Sequence, residues 1–348
     1  MTEYIRPLEQ LSRNDEPNFG GKSANLGELL AADIPVPPGF AISTEAFRAF
    51  IHDAGLEKRI GSALSGVSAG DVDAIGRASR AISEAMRFAP IPAAVREQIG
   101  DYYGELGEDS PPVAVRSSAV GEDSQDATFA GQQETYLWVR GTEHVCDAIR
   151  DCWVSLYSPP AISYRARLRD REAQPAMGVT VQIMVDAEVS GVMFTCNPVS
   201  GDPSMVAINS SWGLGLAVVG GEVTPDDFLV SKVTREIVRE HIHPKQVQYV
   251  PDPAGMGAIR VSIDGDRREA RSLEPADLER LVDVARRIER YFGCHQDIEW
   301  ALPRGETERV LVVQTRPVTA VPNKTEKPKP ASAMSLIMST FGAGPPKD

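Results

Sequence analysis

Within a dozen residues the chain passes from a β-branched run into a segment with almost nothing to pack. Val113-Ala114-Val115 reads as a strand, and Arg116 stands where that strand meets the loop. Ser117-Ser118-Ala119-Val120-Gly121-Glu122-Asp123-Ser124 follows, continuing to Thr128-Phe129-Ala130-Gly131-Gln132. Small residues let backbone N–H groups approach a phosphate, and Ser and Thr hydroxyls add donors. Arginine supplies a planar, permanent charge suited to phosphate oxygens. A strand that ends on a cation and opens into such a loop fits a nucleotide polyphosphate. From these residues alone, the alternative is a polar turn with a surface arginine.

The whole chain narrows the choice. At 348 residues it is too long for one ordinary core, so two or three subdomains are expected. The net charge of −13 argues against a nucleic-acid partner, which needs a basic footprint. It leaves ATP open, because a local group of cations and a Mg²⁺ ion suffice for a triphosphate. No apolar run reaches the roughly 20 residues that span a bilayer. Met1-Thr2-Glu3-Tyr4-Ile5-Arg6 lacks the basic-then-apolar pattern of a signal peptide, so the cytoplasm is the expected location. Cys146, Cys152, Cys196 and Cys294 form no C-x-x-C pair, which indicates neither a zinc site nor a disulfide framework.

Near the N-terminus, Gly20-Gly21-Lys22-Ser23-Ala24-Asn25-Leu26-Gly27-Glu28-Leu29-Leu30 has the leucine spacing of a helix. Lys22 falls in its first turn, where a cation is unfavourable unless an anion binds there. The triplet resembles the end of a P-loop, but that pattern needs Gly at position 16, where Glu16 stands. Lys22 is thus a candidate phosphate contact of another kind, or a solvated lysine on a surface helix. Ser43 or Thr44 can cap a helix from Glu45 to about Ala54. Residues 56–107 are mostly helical, and 134–139 read as a strand. Helices follow at about 143–157 and 160–170, split by Ser158-Pro159-Pro160.

Residues 178–185 and 189–195 read as two strands joined by a tight polar turn. Their apolar edges suit an adenine ring or a plain core hairpin. Residues 206–215 form a strand running into a glycine loop, and further β structure follows Thr224. His241 and His243 would share a strand face but lack a third ligand by spacing, so they read as surface residues. Leu273 to Phe292 is the clearest helix, with Pro275 in its first turn and Gly293 at its end.

Residues 297–302 and 310–316 read as a hairpin turning at Pro303-Arg304-Gly305. Strand periodicity puts Asp297 with Glu299 on one face, and Gln314 with Arg316 on one face. If Leu302 opposes Leu311, Glu299 falls opposite Gln314. A carboxylate beside an amide oxygen makes a hard-oxygen site for Mg²⁺, with Arg316 neutralising phosphate charge next to it. An exposed charged hairpin is the alternative. From Val321 the composition changes to a charged, Pro-rich linker and a small-residue tail that could bind a partner.

Taken together, these stretches resemble the ATP-binding domain of phosphoenolpyruvate synthase, pyruvate phosphate dikinase and rifampin phosphotransferase. The matching pieces are Gly20–Leu29, Ala114–Ala119, Thr128–Thr135, Gln296–Trp300 and Gln314-Thr315-Arg316-Pro317, in the family's order. The resemblance implies an α+β, ATP-grasp-like fold: an N-terminal subdomain (1–175) and a C-terminal subdomain (176–320) clamping ATP, with 321–348 as linker and tail. It implies that Lys22 and Arg116 hold phosphates and that Thr128 to Gln132, with Gly131, form a lid loop. Gln182 to Val185, including Met184, would line the adenine. Glu299 and Gln314 would hold Mg²⁺. Arg316 would contact the transferred phosphoryl group, which makes Arg316, Arg116 and Lys22 the expected catalytic side chains.

Two departures stand out. The family usually has Glu after Gly-Leu-Gly, and here Leu216 follows Gly213-Leu214-Gly215. The family also carries a domain with a Thr-Ser-His-type motif whose His takes phosphate from ATP. None of His52, His144, His241, His243 and His295 stands in such a motif. The resemblance therefore points to a stand-alone ATP-binding subunit of a split phosphotransferase, which phosphorylates a His on a separate protein while ATP becomes AMP and phosphate. By analogy with phenylphosphate synthase, the final acceptor is expected to be a phenol or cresol in aromatic degradation. Two other readings stay open: part of a pyruvate- or antibiotic-phosphorylating enzyme, and a non-catalytic ATP sensor.

Overall fold

The computed structural model describes residues 2–107, 109–119, 134–168, 175–306 and 308–318. Over these residues the chain is α+β and divides into two compact units. The first comprises the chain up to Gly27 together with Pro38–Met184. The second takes Glu28–Pro37 and the described residues from Val185 onward.

In the first unit, strands β1 (Ile5–Pro7), β2 (Gly39–Ile42), β3 (Val113–Ala119), β4 (Thr135–Val139) and β5 (Met177–Ile183) form one sheet. Their order is β1-β2-β5-β3-β4, antiparallel throughout. Val113, Val115, Val179 and Val181 are fully buried, which is why the β-branched runs settle in the middle of the sheet. Its helices are α1 (Glu16–Phe19), the start of α2 (Gly21–Ala31), α3 (Thr44–Asp53), α4 (Leu56–Leu64), α5 (Val72–Arg87), α6 (Ala93–Glu105), α7 (Thr142–Ser155) and α8 (Pro159–Leu168).

Local signals start these helices. The Ser43 hydroxyl accepts from the Ala46 N–H at 3.3 Å to open α3, and Asp71 does the same for the Ala74 N–H at 2.8 Å in α5. Helix α7 buries Val145, Ile149, Cys152 and Trp153, the apolar face its spacing predicts. Trp153 stacks on Phe50 with ring centroids 5.1 Å apart, and each such side chain contributes about 1.5–3 kcal/mol by burial.

The second unit holds β6 (Ala187–Phe194), β7 (Met205–Trp212), β8 (Asp226–Ser231), β9 (Ile237–His241), β10 (Val247–Pro251), β11 (Ala258–Ser262), β12 (Gln296–Pro303) and β13 (Leu311–Pro317). Six of them make a sheet in the order β13-β12-β6-β7-β8-β9, again antiparallel, and β10 pairs with β11 alone. Among its described residues are the end of α2 and the helices α9 (Leu216–Val219) and α10 (Pro275–Phe292). A capping box between Glu274 and Asp277 opens α10, Pro275 follows it, and Gly293 ends it at φ 71°.

The expected hairpin at 178–195 is not formed. Strand β5 pairs with β2 and β3 in the first sheet, whereas β6 pairs with β7 and β12 in the second. The link Met184-Val185-Asp186 has none of the Gly- or Asn-based chemistry of a tight hairpin turn. Instead Ile183 N–H donates to Pro38 O and Met184 N–H to Pro112 O, both at 2.9 Å, so the chain stays with the first sheet until Met184.

One polar cluster lies wholly inside the second unit. Lys245 and Asp226 are both fully buried and their charged groups are 2.6 Å apart. The other Asp226 oxygen accepts from the Ser272 N–H at 2.9 Å and its hydroxyl at 2.6 Å, and Ser272 meets Ser210 at 2.7 Å. No sequence signal announced this cluster. His241 is exposed on β9, and His243 Nδ1 donates to Pro225 O, 2.9 Å away. Among the described residues no group of three His, Cys, Asp or Glu side chains could hold a metal, and no helix is long and apolar enough to cross a membrane.

Candidate functional site

In the first unit, the turn before α2 lands on the sheet beside Arg116. Arg116 of β3 lies directly opposite Thr180 of β5, and Ser118 opposite Gly178. Directly paired residues, and those two apart, share a sheet face, so these four face one side. Gly178 keeps that face bare: a Cβ there would sit 2.3 Å from Phe19 O. Gly20, at φ +80°, completes the fit, since its own Cβ would meet Ser118 O at 2.0 Å.

This close approach fixes Lys22. Its side chain is only 6% exposed, and its amine donates to Ser117 O at 2.9 Å. The surface-lysine alternative is therefore excluded by burial. Ser23 N–H donates to Ser118 Oγ at 3.2 Å, and Ser23 Oγ lies 2.7 Å from Thr180 Oγ1. The two stretches singled out in sequence, Gly20–Ser23 and Arg116–Ser118, are thus one constellation.

The other expected residues of this region are placed as follows. Gln182 is buried on β5 between Ala114 and Gly39, Met184 is half-buried at the end of that strand, and Val185 is buried and belongs to the second unit. Thr128, Gly131 and Gln132 lie outside the described residues.

In the second unit, Asp297 pairs with Arg316 and Glu299 with Gln314 across β12 and β13. All four side chains share one face. The expected pairing of Leu302 with Leu311 does not form. Ala301, not Leu302, opposes Leu311, and a β-bulge between Glu299 and Trp300 restores the register in which Glu299 meets Gln314.

Arg316 is anchored. Its Nε donates to Asp297 Oδ2 at 3.0 Å and Nη2 lies 2.9 Å from the same oxygen. Asp297 is 4% exposed; burial pushes its carboxyl up to about 6, Arg316 pulls it back down, and the Glu299 charge adds to the rise. This anchoring role of Asp297 went unassigned in the sequence, although its shared face with Glu299 was visible.

These groups fit a hard cation. Glu299 and Gln314 are half-buried, oxygen-bearing and adjacent, and Asp297 Oδ1 on the same face is buried without a hydrogen-bond partner. Mg²⁺ needs only one or two carboxylates because it keeps waters and takes phosphate oxygens. Leu216, where the family carries Glu, begins α9 and brings no charge. The nearby Glu222 is held by Tyr249 Oη at 2.6 Å and Arg260 Nε at 3.0 Å.

Comparison with known proteins adds the family. The family described as pyruvate phosphate dikinase, AMP/ATP-binding domain, matches residues 16–335. A probable phosphoenolpyruvate synthase of Methanocaldococcus jannaschii is 38% identical over 99% of this chain and 29% of its own length. One of Staphylothermus marinus is 38% identical over 94% of this chain and 42% of its own. The phosphoenolpyruvate synthase of Pyrococcus furiosus is 34% identical over 98% of this chain and 47% of its own. The chain thus spans less than half the length of each of these three relatives. Because that match takes in most of the chain, the protein belongs to the pyruvate phosphate dikinase AMP/ATP-binding domain family, an ATP-grasp-like fold whose members use ATP and Mg²⁺.

Proposed function

We propose that this chain binds Mg-ATP and directs one phosphoryl group to a histidine on a separate subunit, leaving AMP and inorganic phosphate. Lys22 and Arg116 hold the phosphates, with Thr128, Gly131 and Gln132 covering them. Gln182, Met184 and Val185 line the adenine. Glu299 and Gln314 hold Mg²⁺, which would neutralise charge on the phosphate oxygens. Arg316 contacts the phosphoryl group in transit.

The observation that carries this reading is the β12–β13 face, where a buried carboxylate aims Arg316 beside an oxygen pair. Phosphoryl transfer asks the protein for alignment and charge neutralisation rather than for a nucleophile of its own. That division of labour agrees with the histidines. His52, His144 and His241 are exposed, while His243 and His295 are held by Pro225 O and Glu289. The acceptor histidine is proposed to belong to a separate subunit.

The final acceptor is proposed to be a small molecule, a phenol or cresol. The relatives named phosphoenolpyruvate synthase favour pyruvate as a second reading. The test mixes the purified chain, Mg²⁺ and radiolabelled ATP with proteins carrying a Thr-Ser-His motif. Acid-labile label on one of them, discharged by a phenol or by pyruvate, supports the proposal and names the acceptor. Label remaining in ATP with every such protein would count against it.

A further inference from the structure

Two hydroxyl side chains that no role has been given join the Lys22 and Arg116 positions. Thr180 stands directly opposite Arg116 on β5, and its hydroxyl lies 2.7 Å from the hydroxyl of Ser23, the residue after Lys22. Ser23 is tied on its other side to Ser118, two residues beyond Arg116, through its N–H at 3.2 Å and its hydroxyl at 3.4 Å. Ser23, Ser118 and Thr180 are all fully buried. The core has no need of hydroxyls here, because a Val or Ala of the same shape avoids the cost of burying polar atoms. Their presence makes sense as a clamp.

We infer that Thr180 and Ser23 are positioning residues that set the spacing between Lys22 and Arg116, and so the fit to a polyphosphate. The inference rests on the phosphate role proposed for Lys22. The physical argument is one of directionality. Apolar packing would hold α2 against the sheet at no fixed register, whereas hydrogen bonds fix both distance and angle. The bare face at Gly178 and the left-handed Gly20 bring the turn close enough for those bonds to form.

Thr180→Val removes the hydroxyl and keeps the shape, Thr180→Ser keeps the hydroxyl, and Ser23→Ala is a second route to the same loss. Affinities for ATP and for adenosine are measured on the full chain with Mg²⁺, by competition with a fluorescent ATP analogue, and Lys22→Ala serves as reference. Losing one aligned hydrogen bond should weaken ATP by about five- to tenfold in Thr180→Val and Ser23→Ala, with adenosine within about twofold and Thr180→Ser close to the parent. Equal weakening of ATP and adenosine would reveal a merely structural role and overturn the inference. So would unchanged ATP affinity in Thr180→Val and Ser23→Ala while Lys22→Ala loses it. Unchanged affinity in Lys22→Ala would instead remove the proposed phosphate role of Lys22, and this inference with it.

Discussion

Glu299 and Gln314 stand directly opposite one another across the β12–β13 ladder, and the bulge beside Glu299 keeps them so. Without that extra residue, Glu299 would face Val313 and its carboxylate would lack an oxygen partner. Glu299→Gln keeps the size and the hydrogen-bonding capacity but removes the charge. The Mg²⁺ concentration for half-maximal ATP turnover should rise by about 10- to 100-fold, the range seen even for outer partners of metal ligands. A magnesium titration of the variant checks this, and an unmoved midpoint would place the ion elsewhere.

Arg316 is more than a site cation, because it is the counter-charge of a buried carboxylate. Removing it should therefore cost stability as well as activity. Breaking such a pair costs roughly 3–5 kcal/mol when the partner stays charged. The cost should depend on pH in a definite direction. Asp297 is raised to about 6, so its contribution to stability is full below the unfolded value and is lost as pH rises through about 6. Without Arg316 the carboxyl rises further, and the loss extends above pH 6. The melting-temperature gap between the parent and Arg316→Ala should widen from pH 5 to pH 8, and Arg316→Lys should narrow it.

The Lys245–Asp226 pair predicts a second stability effect, remote from the chemistry. Lys245→Met leaves the fully buried Asp226 carboxyl without its counter-charge, with Ser272 and the His243 N–H as its remaining donors among the described residues. A loss of about 3–5 kcal/mol is expected in denaturant unfolding. Pairing it with Asp226→Asn should recover part of that loss, since the remaining group is then neutral.

Thiol reactivity should single out one cysteine. Cys146, Cys152 and Cys196 are buried, and burial pushes Cys146 and Cys196 up to about 11 and Cys152 higher still. Cys294 is exposed. At pH 8 an alkylating reagent should modify Cys294 in the native protein and the other three only after unfolding. Mass spectrometry of the modified peptides reads this directly.

Much of this architecture was legible in local chemistry. The Ser43 cap, the Pro275–Gly293 bracket and the apolar face of α7 are local events, and each forms as its spacing predicts. Long-range features were less accessible. The link at Met184–Asp186 reads as a turn in sequence, yet pairing partners far along the chain carry β5 and β6 into different sheets. The Glu299–Gln314 pairing forms although Leu302 does not oppose Leu311, because a bulge, which leaves no mark in a hydrophobic pattern, shifts the register. The roles of Asp297 and Thr180 are hidden in the sequence for a related reason. What they do depends on the residue across the ladder, Arg316 or Arg116, and one sequence does not display that neighbour.

We propose that the cations of the first unit and the oxygen–arginine set of the second are both needed for one turnover. The most direct measurement is the rate of AMP formation from Mg-ATP with a Thr-Ser-His partner present, for the parent, Lys22→Ala and Glu299→Gln. Each variant should fall by about 10²–10³, as expected on removing a group that stabilises developing charge, while remaining folded. Parent-like AMP formation in either variant would contradict the claim.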